Sequence, residues 1–243
     1  RSWDEYRSHF YKTQEFATPG YYSVYLTDTK VKAELTASAH VAFHRYTYDS
    51  TDSTSVLIDL QHGPAWNDKQ YHSQVNRCET HWEDAYTLVG HVQNTVWVKQ
   101  DYFFIIKFNR PVASHITLNK AADTEKGDRI VATFDGIEQG EQLLMKIAMS
   151  TTSVDGAKKN LYTEVPYWDF AAVKQSANNE WNKYLKRIDI EGTDDQKKNF
   201  YTSFYHALIQ PNQIADVDGM YRNAADKIVK AENGLFYSTF SCW

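Results

Sequence analysis

The chain has 243 residues, 42% hydrophobic and 23% charged, the balance of an ordinary soluble globular protein able to bury a sizeable core in one or two domains. A formal net charge of −5 argues against a nucleic-acid partner, whose phosphates require clustered Lys and Arg. No apolar run approaches the roughly 20 residues that span a bilayer, and the longest local stretch is Phe103-Phe104-Ile105-Ile106.

The opening RSWDEYRSHF lacks the charged-then-apolar pattern of a signal peptide, as a mature exported chain also would. Strands begin at Gly20 with GYYSVYLT. In KVKAELTA, Val31, Ala33, Leu35 and Ala37 alternate with Lys30, Lys32, Glu34 and Thr36, a period of two that predicts one buried and one wet face. HVAFHRYTY and SVLIDL continue the pattern across the turn-forming cluster at residues 49–53. Further predicted strands are TLVGHV, TVWVKQ, YFFIIKF, SHITL, RIVATF and LLMKIAMS. Many short strands without helices between them predict an antiparallel β-sandwich over residues 1–168.

Residues 61–84 read as a polar binding or packing loop. Its His62, His72 and His81 lack tight metal-ligand spacing, which favours that reading over a metal site. The two cysteines, Cys78 and Cys242, fit either one disulfide or two free thiols. An aromatic share of 15% suits both a β-rich protein and contact with sugar rings.

The period then changes. Asp169 caps a predicted helix with apolar positions Phe170, Val173, Ala177, Trp181 and Leu185, a linker that ends near Arg187 and leads on to residue 192. Thr193 and Gln196 form a capping box for the next helix. On that helix Phe200, Phe204 and Leu208 recur every four residues, flanked by Tyr201 and Tyr205, so one face is expected to pack on the sandwich with Phe204 enclosed. Pro211 stops it, and the acidic loop Asp216-Val217-Asp218-Gly219 follows, with Tyr221 just beyond. Residues 193–243 are too few for a self-sufficient domain, and read as the beginning of a larger one.

In that order, TPGYYSVYL, KAELTASAHVAFHRYTY, Trp168-Asp169-Phe170, FYTSFYHALIQPN, DVDGMY and YSTFSCW resemble the calcium-dependent inverting exo-α-mannosidases of glycoside hydrolase family 92, over nearly the whole chain. The resemblance implies an N-terminal β-sandwich, a helical linker and a C-terminal (α/α)6 barrel, with the active site between the two domains. It implies mannose-containing glycans as substrate, the rest of the barrel as partner, and a periplasmic or secreted location. It also implies that the sandwich begins before Arg1, and that the catalytic acid, the catalytic Asp residues and most calcium ligands lie further along the barrel. Family members usually follow the final tryptophan with an Asp. Met220 stands where the family usually has Arg, which puts the polar contacts beside the sugar site in doubt, and Cys242 stands where it has Leu.

Inverting hydrolysis needs a protonated carboxyl and a carboxylate about 6.5–9.5 Å apart, and no sequence rule places Asp216 and Asp218 at that separation. Asp218 contacts sugar or metal, or belongs to a solvated Asp-Gly turn. Trp243 is a sugar platform or a core residue, and His206 a site residue or a packing one. With Tyr221 these are the candidate substrate-binding residues; none is assigned as catalytic or as a metal ligand, because DVDG alone lacks the ligands of a calcium loop. A non-catalytic carbohydrate-binding module and a structural accessory domain are the alternative readings.

Overall fold

The alternation in residues 20–48 becomes three consecutive antiparallel strands in the computed structural model of the chain, which describes residues 7–50, 54–61, 74–95, 99–118 and 127–238. After a short 3-10 turn the strands are β1 (Glu15–Thr18), β2 (Tyr21–Leu26), β3 (Val31–Ala37), β4 (Val41–Tyr48), β5 (Ser55–Asp59), β6 (Gln74–Asp84), β7 (Thr87–Thr95), β8 (Lys99–Phe108), β9 (Ser114–Leu118), β10 (Arg129–Thr133) and β11 (Gln142–Ser150). They form an eight-stranded antiparallel sheet, ordered β1-β2-β3-β4-β11-β8-β7-β6, and a three-stranded one, ordered β5-β10-β9.

Leu88, Phe104, Ile106, Phe108, Ile130, Phe134 and Leu143 fill the space between the two sheets. The second face of the large sheet is not wet at its centre. Val41, Phe43, Val89, Ile105 and Ala148 pack there against α1 (Val154–Glu164) and the start of α2 (Phe170–Leu185). Burial on both faces explains why Phe103-Phe104-Ile105-Ile106 runs apolar without alternating.

Three expectations need correction. Part of the polar stretch 61–84 is a strand: β6 pairs along β7, with register shifts between Val75 and Arg77 and between Trp82 and Asp84. As an edge strand it is polar on its exposed face, at Arg77, Glu79, His81 and Glu83, while Val75, Cys78 and Trp82 pack on the core. His62 and His72 lie outside the described residues, and Cys78 is a free thiol on β6. Second, α1 lies within the segment assigned to the sandwich; Ser153 caps it by accepting the Gly156 N–H. Third, α3 (Asp194–Leu208) has no fully buried residue. It leans on α2, with the Tyr205 and Trp181 rings 4.6 Å apart, and Phe200 and Phe204 are half-buried.

The cap predictions hold. Asp169 accepts the Ala172 N–H at 2.9 Å, and Thr193 and Gln196 complete the capping box. Strand register also explains how α2 is seated. Glu34 lies opposite Arg45, and the two make paired bonds of 2.8 Å. Tyr21 donates to the same carboxylate at 2.7 Å, and the Arg45 guanidinium lies 4.4 Å from the centre of the Phe170 ring. Two short antiparallel pairs follow α3, β12 (Asn212–Gln213) with β15 (Tyr237–Ser238) and β13 (Met220–Arg222) with β14 (Ile228–Lys230). Among the described residues, no helix is long and apolar enough to cross a membrane.

Candidate functional site

The acidic loop between β12 and β13 is built against the sandwich rather than into solvent. Asp216 is 1% exposed. Its Oδ2 accepts the Ser150 and Thr152 hydroxyls, each at 2.7 Å, and its Oδ1 accepts the Asn160 amide at 2.8 Å. Asn160 is fully buried on α1, where it also donates to the Met149 carbonyl at 2.8 Å and accepts the Val217 N–H at 2.9 Å. The end of β11 and the buried face of α1 thus share one carboxylate with the loop. Gly156 makes this approach possible, since a Cβ there would sit 2.6 Å from Asp216 Oδ2, Ser150 Oγ and Thr152 Oγ1.

The loop closes on itself as a tight turn. The Asp216 N–H donates to the Met220 carbonyl at 2.8 Å, and the Gly219 N–H to the Asp216 carbonyl at 2.7 Å. Gly219 has φ +82°, a left-handed conformation that favours glycine. This geometry turns Asp218 outward, with a third of its side chain exposed. Lys159 donates to its Oδ2 at 2.8 Å, and the Met220 N–H to its Oδ1 at 3.1 Å. The Lys159 ammonium holds the Asp218 carboxyl below the usual carboxylate range.

Tyr221 follows on β13 and stacks on Phe236, with ring centroids 3.9 Å apart and planes 12° from parallel. Beside it, Arg222 donates to the Thr151 carbonyl at 2.9 Å and to Asp226 at 2.9 Å, and Asp226 accepts from Lys99 of β8 at 2.7 Å. The hairpin is therefore also tied to the sandwich, through groups nearer the surface than Asp216.

Of the four candidates, Asp218 and Tyr221 are brought together on one loop and hairpin. His206 is exposed on the last turn of α3, and among the described residues no hydrogen bond joins it to either. Trp243 lies outside the described residues. Sequence reading missed Lys159, Asn160 and Phe236; they lie far from the DVDG motif in the chain, and no spacing signals them.

Calcium prefers several oxygen ligands. Both Asp216 oxygens are engaged by protein donors and Asp218 is paired with Lys159, so this loop does not fit a calcium cage. No group of three or more His, Cys, Asp or Glu that could hold a metal occurs among the described residues.

Comparison with known families and structures places this arrangement. The family model described as the Glycosyl hydrolase family 92 N-terminal domain matches residues 1–150, and that of the Glycosyl hydrolase family 92 catalytic domain matches residues 156–243. The structure of the family GH92 alpha-mannosidase BT3965 from Bacteroides thetaiotaomicron is 26% identical, with a TM-score of 0.86 over 97% of this chain and 33% of that one. Its complex with mannoimidazole is likewise 26% identical, with a TM-score of 0.87 over 98% of this chain and 32% of that one. The family GH92 inverting mannosidase BT2199 from the same organism, at 22% identity and a TM-score of 0.78 over 95% of this chain and 31% of that one, shares the fold. The chain spans about a third of the length of these structures. No curated protein sequence matches it.

Proposed function

The chain belongs to glycosyl hydrolase family 92, and from that premise we propose that it is the sandwich-bearing portion of an exo-acting α-mannosidase that releases α-linked mannose from glycans with inversion. One observation carries this reading: 97–98% of the chain superposes on a mannosidase, crystallised also with mannoimidazole, that is 26% identical to it.

The loop chemistry supports a binding role here. A general acid must hold its proton near the operating pH. Asp218 is kept ionised by Lys159, and Asp216 is buried with both oxygens bonded to protein donors, out of a substrate's reach. Neither is the acid. Asp218, as a carboxylate, accepts a sugar hydroxyl, while the stacked Tyr221 and Phe236 rings offer an apolar surface to a pyranose C–H face. His206 and Trp243 complete the substrate contacts in this proposal. The acid, the base and any calcium ligands come from the rest of an (α/α)6 catalytic domain. Glycan substrates outside the cytoplasm suit a periplasmic or secreted enzyme.

The test is an assay of this chain joined to a complete family catalytic domain, using an α-1,2-mannobiose substrate with calcium and following the product anomer by proton NMR. Release of β-mannose is expected. Release of α-mannose, or turnover of β-mannosides instead, would overturn the proposal.

A further inference from the structure

Besides the Asp216 carboxylate, a histidine of the sandwich holds the same loop. His40 lies in the connection between β3 and β4, its side chain 10% exposed. Its Nδ1 is 2.5 Å from Oε1 of Glu164, the last residue of α1, and its Nε2 is 2.8 Å from the carbonyl oxygen of Ala215. Oε2 of that carboxylate accepts the His40 backbone N–H at 2.9 Å and the Ser38 hydroxyl at 2.5 Å. Ala215 is fully buried and directly precedes Asp216.

A carboxylate and a carbonyl are both acceptors, so each ring nitrogen must carry hydrogen, and the species that satisfies both is the imidazolium. A neutral ring has one N–H. Glu164, the charged acceptor, retains it on Nδ1, because hydrogen bonds to ionised partners are the stronger ones. The Nε2 lone pair then faces the lone pairs of the Ala215 carbonyl, and that link is lost. Two charged groups face the ring, Glu164 from α1 and Asp216 from the loop, and both are negative. Burial opposes the charge on His40, but Glu164, the Ala215 carbonyl and Asp216 override it and raise the pKa above the ordinary histidine value. The negative end of the α1 dipole acts in the same direction.

We propose that His40 is a positioning residue: as the imidazolium it ties Ala215, and with it the loop bearing Asp218 and Tyr221, to the sandwich, and the tie loosens when the ring loses its proton. The tie stands on geometry alone, and only its bearing on sugar binding rests on the function proposed above. Its sign is fixed. A base whose folded pKa is raised contributes its stabilisation at low pH and loses it as pH rises through the folded value.

The test uses this chain without ligand. The His40 ring protons are followed by NMR from pH 5.5 to 8.5, alongside hydrogen exchange of the amides of residues 215–222, corrected for intrinsic rate. The expected result is a ring midpoint above the ordinary value of about 6.5 and an approximately tenfold loss of protection through the same midpoint. In His40→Gln, whose amide donates at every pH, protection should be flat with pH. Glu164→Gln should move the ring midpoint downward. Protection that stays flat in the parent while the ring titrates overturns the proposal, as does a midpoint at or below the ordinary value. The parent profile needs no variant, so a poorly folding substitution leaves the test intact. No sugar or turnover enters it, so its failure leaves the mannosidase reading standing, and a failed mannosidase assay leaves the tie standing.

Discussion

Replacing Asp216 with alanine withdraws one buried carboxylate from three donors at once: Ser150 Oγ, Thr152 Oγ1 and Asn160 Nδ2. The two hydroxyls lie 3.0 Å apart and can bond each other, so one of the pair is left without an acceptor. Asn160 keeps its bond to the Met149 carbonyl but strands its second amide hydrogen. Two stranded buried donors at about 1–3 kcal/mol each give a cost of roughly 4 kcal/mol. At roughly 2–4 °C per kcal/mol for a chain of this size, Tm should fall by about 8–16 °C. Thermal and urea unfolding followed by tryptophan fluorescence measure this directly. Asp218→Ala is the companion. It removes an ion pair in which Lys159 is 59% and Asp218 33% exposed, and should cost under about 1 kcal/mol. The reasoning is refuted if Asp216→Ala melts within about 1 kcal/mol of the parent while Asp218→Ala costs more, for then the outward carboxylate carries the loop.

Other substitutions probe the helical layer and its charges. Phe43 is fully buried between Trp168 and Phe170, at 5.9 and 5.4 Å, so Phe43→Ala should cost about 3–5 kcal/mol in urea unfolding, while half-buried Phe204→Ala costs about half of that or less. Lys146 is buried over the Trp168 ring, and burial first, then Lys107, lowers its pKa from 10.5 to about 8. The unfolded chain therefore binds the extra proton between those values, so parent stability should rise from pH 8 to 10.5 relative to Lys146→Met, by at most about 3 kcal/mol. For Glu34, burial is outweighed by Arg45 and Tyr21, and its pKa falls from 4.5 to about 2. Its stabilisation is present above 4.5 and lost toward pH 2, and acid titration of Glu34→Gln should show a flatter limb. The 243-residue chain alone should not turn over an aryl α-mannoside with calcium added, since Lys159 holds Asp218 ionised and Asp216 is buried away from any substrate.

What could be read from the sequence was what local rules decide. The capping box at Thr193 and the Asp169 cap are set within a few residues, and both are present in the structure. The alternation in β3 located the strand but not its faces: Glu34 and Thr36, expected on a wet face, are buried beneath the helical layer, and Ala37 is exposed. β6 was hidden because its core-facing apolar residues, Val75, Cys78 and Trp82, are few and separated by polar and charged ones, and the register shifts near its two ends blur the pattern further. α1 was hidden for the opposite reason. Of its buried positions, Gly156 and Ala157 are small and Asn160 is polar, which leaves Leu161 as the one large apolar residue among them, too little for an apolar stripe. The packing of α3 was misjudged because aromatic spacing shows that a face is apolar without showing which neighbour covers it. At the candidate site, Asp218 and Tyr221 are three positions apart in the chain and could be paired on sight. The partners that orient them, Lys159 and Phe236, come from long separations that only the fold brings together.

The polarity of this junction has a structural consequence. Apolar packing of Ala157 and Leu161 on Val41, Phe43 and Ile105 draws α1 to the sheet, but such contacts tolerate sliding. The Asp216 carboxylate does not. Its three donors come from the end of β11, the turn before α1 and the buried face of α1, and a shift of any one strands a buried polar group in a low-dielectric interior. Glu164 with His40 repeats the device at the other end of α1, and Arg222 on the Thr151 carbonyl repeats it on the hairpin. Asp218, in the turn, and Tyr221, on β13, are carried between these three tied points rather than on a free loop. For the sugar contact proposed for Asp218 such anchoring matters, because misplacement by about an ångström sacrifices most of what orientation contributes.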